Sequence, residues 1–417
     1  MSISTRTLVA LLLSASVACD GGSGSNGGDR TSRPVSLDDT GAADTGGADT
    51  GSAPEPEPEG EEEERTCGGS PVSVRSVVDV EDGFAAVTVH VDEGTRSLQL
   101  VSEADDSDLY VMVERVYDPS GEVVLDYTDF HHSSGPFELY TAAVVPWKST
   151  NVLNWPVSAE DAPLAPGDWT VTLYAMEADG QWADATVAVE AWQVSDDDPS
   201  AGCVPVRVVL SSDVAGDPAL VRAVEGAWDV AADIWAAAGV ELILAETVES
   251  ALGREVPAPS DGSEAYRSLS AVEEEAMLTL VVGEGIDSDT AGLLGQSGGI
   301  PGSLSASPHA VVALGWLMHA GSDGQLSGDE IDMMGATIAH ELGHYAGLAH
   351  PVQFDEHYDV VGFDGLPDTE ECGDVHACMD VLSDNLMFPY MTCGGSGCQD
   401  DLSDDQASVL NLFTGTR

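Results

Sequence analysis

The chain has little positive charge. Thirteen lysines and arginines stand against 74 aspartates and glutamates in 417 residues, and Lys148 is the one lysine. A formal charge of -61 repels phosphate backbones and anionic headgroups, which excludes nucleic acid as a partner. So much acid reads in two ways: as a solvated surface suited to salt, or as carboxylates that include calcium sites. The apolar run near the N-terminus, "LVALLLSASVA", is too short to span a bilayer. Cysteine is scarce as well, at seven residues. The length exceeds what one core usually fills, so two domains plus tails are expected.

Arg6, the short apolar run and then Cys19 have the order of a bacterial export signal, which assigns residues 1–18 to a signal peptide. "SVAC" at 16 to 19 resembles a lipoprotein processing box, with Ser16 in place of the usual leucine, so Cys19 is the candidate for lipidation and membrane attachment. Ordinary cleavage nearby is the alternative. Either way the chain is expected to be exported, to the cell envelope or beyond it. With Cys19 set aside, Cys67, Cys203, Cys372, Cys378, Cys393 and Cys398 form an even set suited to an oxidising compartment. Cys67 and Cys203 bracket one segment and make one candidate pair, with two local pairs among the rest.

Residues 19–66 hold "DDTGAADTGGADTGS" and "PEPEPEGEEEE", with almost nothing apolar to bury, and read as a disordered, self-repelling acidic linker. From 67 to 202 the pattern becomes apolar alternation with a period of two: "VSVRSVV", "AAVTVHV", "SLQLVS", "LYVMVERVY", "EVVLDY", "DWTVTLYAM" and "ATVAVEAW". Turn signals such as "DPSGE" and "APGD" separate these runs, which predicts an all-β antiparallel sandwich serving as an accessory domain. "FHHSS" at 130 to 134 places adjacent histidines on opposite faces of any strand, a poor chelate.

After residue 203 the signals mix. "VPVRVVL" reads as a strand; Asp217 and Pro218 open a helix with Val221, Val224, Trp228, Ala231 and Trp235 on one stripe, and Gly239 ends it. "VELIL", "MLTLVV" and "AVVAL" give three more strands, and Ser327 with Glu330 forms a capping box for a second helix. Residues 203–417 thus form an α+β domain. "AGLLGQSGGIPGS" at 291 to 303 is expected to be an irregular glycine-rich loop near the substrate.

The second helix carries "TIAHELGHYAGLAH" at 337 to 350. His340 and His344 lie one turn apart on one face, the spacing at which two imidazoles chelate one ion. Glu341 beside them is placed to take a proton from a metal-activated water. Gly347 can adopt the left-handed conformation that ends the helix and brings His350 in as a third ligand.

The full spacing H-E-x-x-H-x-x-G-x-x-H resembles the extended zinc signature of the metzincin metallopeptidases. The resemblance covers about residues 203 to 417. It implies Zn2+ held by His340, His344 and His350, Glu341 as general base, and protein or peptide substrates. "DNLMFPY" at 384 to 390 resembles the methionine turn of that clan, with Met387 as the turn methionine. Tyr390 stands one residue later than the tyrosine some members use as an oxyanion stabiliser or fifth ligand. "GLPDTEEC", "NLM" and "LSDDQASVLN" are most similar to the pappalysin-like branch. Cys67 then has a second possible role, as a thiolate over the zinc of a latent precursor.

His357 and His376 read as surface histidines, and His309 and His319 have no partner that the sequence identifies. Asp355, Asp359, Asp364 and Asp368 form a spaced acidic loop for which Ca2+ is the candidate ion, without an EF-hand pattern. The reading is a multidomain, exported zinc metalloendopeptidase. The competing reading is a non-enzymatic surface adhesin or binding lipoprotein with a structural zinc. Oligomeric state is not legible.

Overall fold

The computed structural model describes residues 72–126, 137–138, 149–158, 161, 163–195, 202–259, 277–288, 292–304, 309–355, 357–392 and 399–414. Expectations about the signal, Cys19, the linker, Cys67, the 130–134 histidines, Cys393 and Cys398 fall outside those residues.

The N-terminal half contains β1 (Val72–Val80), β2 (Phe84–Val91), β3 (Ser97–Ala104), β4 (Tyr110–Tyr117), β5 (Val123–Asp126), the two-residue β6 (Phe137–Glu138), β7 (Thr150–Trp155), β8 (Gly167–Met176) and β9 (Ala185–Val194). Two four-stranded antiparallel sheets form, in the orders β1-β9-β3-β7 and β2-β8-β4-β5. The period-two pattern explains the pairing of their faces. Val87, Val89 and Val91 of β2, Val171 and Leu173 of β8, and Val187, Val189 and Ala191 of β9 turn inward to one core with Leu100 and Trp169. Alternate residues of each strand face away from it. The seven runs expected as strands are strands. β7, "TNVLNW", was not expected, because its asparagines and threonine break the apolar alternation although all six residues are buried.

The C-terminal half is built on β10 (Cys203–Leu210), β11 (Glu241–Glu249), β13 (Leu278–Gly283), β15 (Gly295–Ser297) and β16 (Val311–Gly315), in the order β11-β10-β13-β16-β15. The first four in that order run parallel and β15 is antiparallel to β16. Parallel strands are covered on both faces, which is why β13 and β16 are buried along their whole length and almost wholly apolar. Helices α1 (Pro218–Ala237) and α2 (Gly328–Ala346) cover one face, through Ala227, Ala231, Trp235, Met334, Ile338 and Leu342. The other face carries Val209, Val281, Val311 and Ala313 against Val256 of β12 (Glu255–Pro257), which pairs with β14 (Gly285–Asp287). Two short helices follow, α3 (Val375–Leu382) and α4 (Asp404–Phe413), after the hairpin β17 (Val352–Phe354) and β18 (Val360–Phe363).

Helix α1 begins as expected, with the Asp217 carboxylate accepting from Ala219 N at 2.8 Å, and the chain leaves it through Gly239 at φ 84°. The two helices approach closely because position 335 is glycine: a Cβ there would lie 2.5 Å from Val230 Cβ and 2.6 Å from Ala227 O. Trp235 Nε1 uses that closeness to donate to Ala339 O of α2 at 3.1 Å.

One expectation is corrected. Gly295–Ser297 of the supposed irregular loop are an antiparallel edge strand, β15, on the main sheet. Three residues between glycines show no readable period, so backbone pairing alone reveals the strand.

The switch near residue 202 from antiparallel to parallel sheets is not a break in packing. Ser97 Oγ donates to Leu412 O at 2.7 Å, Gln99 Nε2 to Gly302 O at 3.2 Å, and Asn154 Nδ2 to Ala346 O at 3.3 Å. β6 adds in parallel to β18.

Candidate metal centre

Helix α2 starts where Glu330 reaches back to Ser327 N at 2.6 Å, and Asp329 and Glu330 lie in its first turn, favourable to the helix dipole. It stops at Gly347, whose φ of 112° is left-handed, with Gly347 N bonded to Gly343 O and His344 O. The reversal carries His350 back against the helix. His340 Nε2 lies 3.0 Å from His344 Nε2 and 3.3 Å from His350 Nε2. The three ligating atoms lie within 4.8 Å of one another, and all three residues are buried.

What sits on the far side of each ring decides its protonation. His340 Nδ1 faces Leu386 O at 2.6 Å, His344 Nδ1 faces Leu348 O at 2.6 Å, and His350 Nδ1 faces Gln353 Oε1 at 3.3 Å. Each facing atom is an acceptor, so each Nδ1 carries the proton and donates it. Burial holds the rings neutral: the pKa of His340 falls to about 4, and those of His344 and His350 fall well below the usual value. Three unprotonated Nε2 lone pairs therefore converge with no proton between them, a repulsive arrangement that a cation relieves. Tetrahedral ligands at about 2.0–2.1 Å from one ion stand about 3.3 Å apart, close to the separations found here. The donor set fits a divalent metal, and the Nδ1 partners are the outer contacts that orient such ligands.

Glu341 is fully buried. β15 passes so close that a Cβ on Gly295 would meet Glu341 Cγ at 2.7 Å and Thr337 Cγ2 at 3.0 Å, so glycine is what lets the edge strand touch the carboxylate's stem. Thr337, one turn before Glu341, is held by a buried histidine the sequence left unpartnered. His319 Nδ1 lies 3.0 Å from Gly315 O and its Nε2 3.0 Å from Thr337 Oγ1. Burial lowers the His319 pKa to about 4, so the neutral ring donates from Nδ1 and offers Nε2 as an acceptor to the Thr337 hydroxyl, which stands equally close, at 3.0 Å, to Met333 O.

Met387 is beneath the helix and fully buried. Its sulfur would stand 2.7 Å from a Cβ on Gly343, the residue between Leu342 and His344. Asn385 Oδ1 accepts from Met387 N at 2.9 Å and Asn385 O from Phe388 N at 3.0 Å, a tight turn that presents Leu386 O to His340. Tyr390 has its ring stacked on Phe354 at 5.5 Å and tilted against Tyr358 at 5.9 Å, in an aromatic cluster beside the strand that follows His350.

No family model matches the chain, and no curated protein does. Among solved structures, 52% of it is similar to the crystal structure of metalloproteinase-II from Bacteroides fragilis, at 12% identity and a TM-score of 0.28. The chain spans about half of that protein, 55%. It is also similar, over 30% of its length, to the crystal structure of serine protease of Aeromonas sobria, at 9% identity, a TM-score of 0.15 and 27% of that chain. Similarity at this level leaves the chemistry to be read from the residues themselves.

Other candidates separate cleanly. His357 and His376 are exposed, as expected, and His309 is buried against Gly299 with its pKa lowered to about 4. Three of the four aspartate carboxylates are engaged by nearby turns and a helix start. Asp355 Oδ1 accepts from His357 N and Asp359 N, Asp364 Oδ1 from Leu366 N and Thr369 Oγ1, and Asp368 from Ser403 Oγ and Asp405 N. Cys372 and Cys378 form one of the expected local disulfides, and Cys203 is disulfide-bonded. Sequence reasoning missed Gln353, Gly295, Gly343 and the carbonyls of Leu348 and Leu386. Gly343 alone carried a signal, as a glycine inside a helix.

Proposed function

We propose that the protein is an exported zinc-dependent endopeptidase, tethered through lipid at Cys19, with a metzincin-like and pappalysin-like catalytic half. The observation that carries this reading is the convergence of three deprotonated Nε2 atoms beside a buried glutamate. A zinc ion at that point would supply a Lewis acid for the scissile carbonyl and an acidified water. His340, His344 and His350 would hold it, each ring fixed by its Nδ1 donation. Glu341 accepts the proton of the attacking water and passes it to the leaving amine. β15 packs against that carboxylate's stem at Gly295, and the apolar surroundings of the site strengthen its electrostatics. Peptides and proteins are the substrate class; the surplus of acid disfavours nucleic acid as a partner.

A second reading has its own observation. His340, His344 and His350 are 2%, 0% and 2% exposed and Glu341 is 0% exposed, which suits a zinc that only staples the C-terminal half of a surface lipoprotein. Glu341→Gln separates the two. The variant is expected to bind about one zinc per chain, like the parent, and to lose cleavage of a mixed peptide library read by mass spectrometry. Equal cleavage by parent and variant removes Glu341 from its role; zinc in both and cleavage in neither favours the structural reading.

A further inference from the structure

The last four carbonyls of any helix lack partners within it. In α2 two of them, Gly343 O and His344 O, are satisfied by Gly347 N and Leu348 N in the left-handed turn. Tyr345 O takes Gly302 N at 2.8 Å. Ala346 O, the last, takes a donor from the other half of the molecule, Asn154 Nδ2 of β7 at 3.3 Å.

Asn154 does not act alone. Its Oδ1 accepts from Gln99 Nε2 at 3.0 Å, and Gln99 is its direct cross-strand partner in the β3–β7 ladder. The same Gln99 nitrogen donates to Gly302 O at 3.2 Å. Both targets outside the pair are carbonyl oxygens, which only accept, so the NH2 ends must face them and the amide orientations are fixed by chemistry. The two side chains are 3% and 1% exposed. They bracket two segments: the loop before β16, and the residue at which the chain leaves the ligand helix. That residue is two after His344 and four before His350, and between them Leu348 O receives the His344 Nδ1 proton.

We infer that Gln99 and Asn154 are positioning residues of the metal centre, so that the N-terminal sandwich is a built-in part of the site and sets where the third histidine meets the other two. This rests on reading the histidine triad as a zinc site. The amide pair acts through the backbone: it holds the end of α2, and the end of α2 directs the turn that delivers His350.

The test uses the full-length chain and measures zinc affinity by competition with a chromogenic chelator, with thermal unfolding of the metal-free protein alongside. Ser97→Ala is the control, because its contact to Leu412 O also joins the two halves from β3 but is not made to α2 or to the loop before β16. Asn154→Ala is expected to weaken zinc about tenfold, the low end of what outer contacts of a metal site usually cost. Ser97→Ala is expected to stay within about twofold of the parent. Unchanged affinity in Asn154→Ala overturns the inference, as does an equal loss in Ser97→Ala, which would make the effect one of general docking. If Asn154→Ala does not fold, the near-isosteric Gln99→Met takes its place in the same assay, where unchanged affinity, or a loss that Ser97→Ala matches, again overturns the inference. A parent that binds zinc no better than His344→Ala refutes the reading of the triad itself, a result distinct from a failure of the amide pair.

Discussion

Replacing Gly343 by alanine sets two known effects against each other. Alanine inside a helix is favoured over glycine by about 1 kcal/mol, so exposed sites gain stability from this change. Here the new Cβ would lie 2.7 Å from Met387 Sδ and 3.3 Å from Met387 Cε. Unstrained carbon contacts sit at about 3.5–4.0 Å, so the sulfur must retreat by roughly 1 Å. Met387 is fully buried and its backbone N–H is tied to Asn385 Oδ1, which leaves the retreat to the turn itself. Overpacking of that kind costs about 1–3 kcal/mol and outweighs the propensity gain, for a net loss of about 1 kcal/mol. The same movement displaces Leu386 O, the acceptor that orients His340. Zinc affinity should then fall about tenfold. Calorimetry of the metal-free protein reads the first effect and chelator competition the second. A variant that unfolds at a higher temperature and binds zinc as tightly as the parent would refute the reasoning, because Met387 would have yielded without disturbing the ligand.

Gly295→Ala pushes on Glu341 Cγ and Thr337 Cγ2, and neither residue is among the three metal ligands. It should keep one zinc per chain and lose about a hundredfold in peptide hydrolysis, the cost typical of a 1 Å misplacement; an unimpaired rate would show that β15 does not position the carboxylate. Acid should destabilise the metal-free protein through His309 and His319, whose folded pKa values lie near 4 against 6.5 for the free side chain. Between those values the unfolded state binds protons that the folded state refuses, so stability is retained above pH 6.5 and lost as pH falls toward 4. Each ring contributes a slope of about 1.4 kcal/mol per pH unit. Asp364 works the other way, since burial raises its pKa to about 7 and stability from its neutral form is lost as pH rises from about 4 to 7. In the metal-free protein His340, His344 and His350 are held neutral by burial as well, so five rings oppose one carboxyl; urea midpoints across this window should therefore rise with pH, and Asp364→Asn should steepen the slope. A flat profile in the variant would contradict the burial of these five histidines.

The sequence determined what is local and periodic. Alternation with a period of two fixes which residues of β2, β8 and β9 face a core, and that pattern is readable because the pleat imposes it at every step. Helix α2 was legible from its capping box to its terminal glycine, and so was the convergence of His340, His344 and His350, because i, i+4 spacing and a left-handed glycine are properties of the backbone alone. The chain could not reveal which groups lie across from those ligands. Gln353, Leu348 O and Leu386 O fix the histidine tautomers, yet two of the three are main-chain atoms that any residue supplies. β7 was hidden for a related reason. Its Asn154 looks like a loop residue until Gln99 and Ala346 are brought beside it, where a buried amide has a carbonyl to bind. Gly295 and Gly343 appear in the sequence as ordinary glycines; only the packing of Glu341 and Met387 against them shows that a methyl group would not fit. Spacing along the chain named the three histidines that converge, while the protonation and alignment of those residues came from partners that tertiary folding alone supplied.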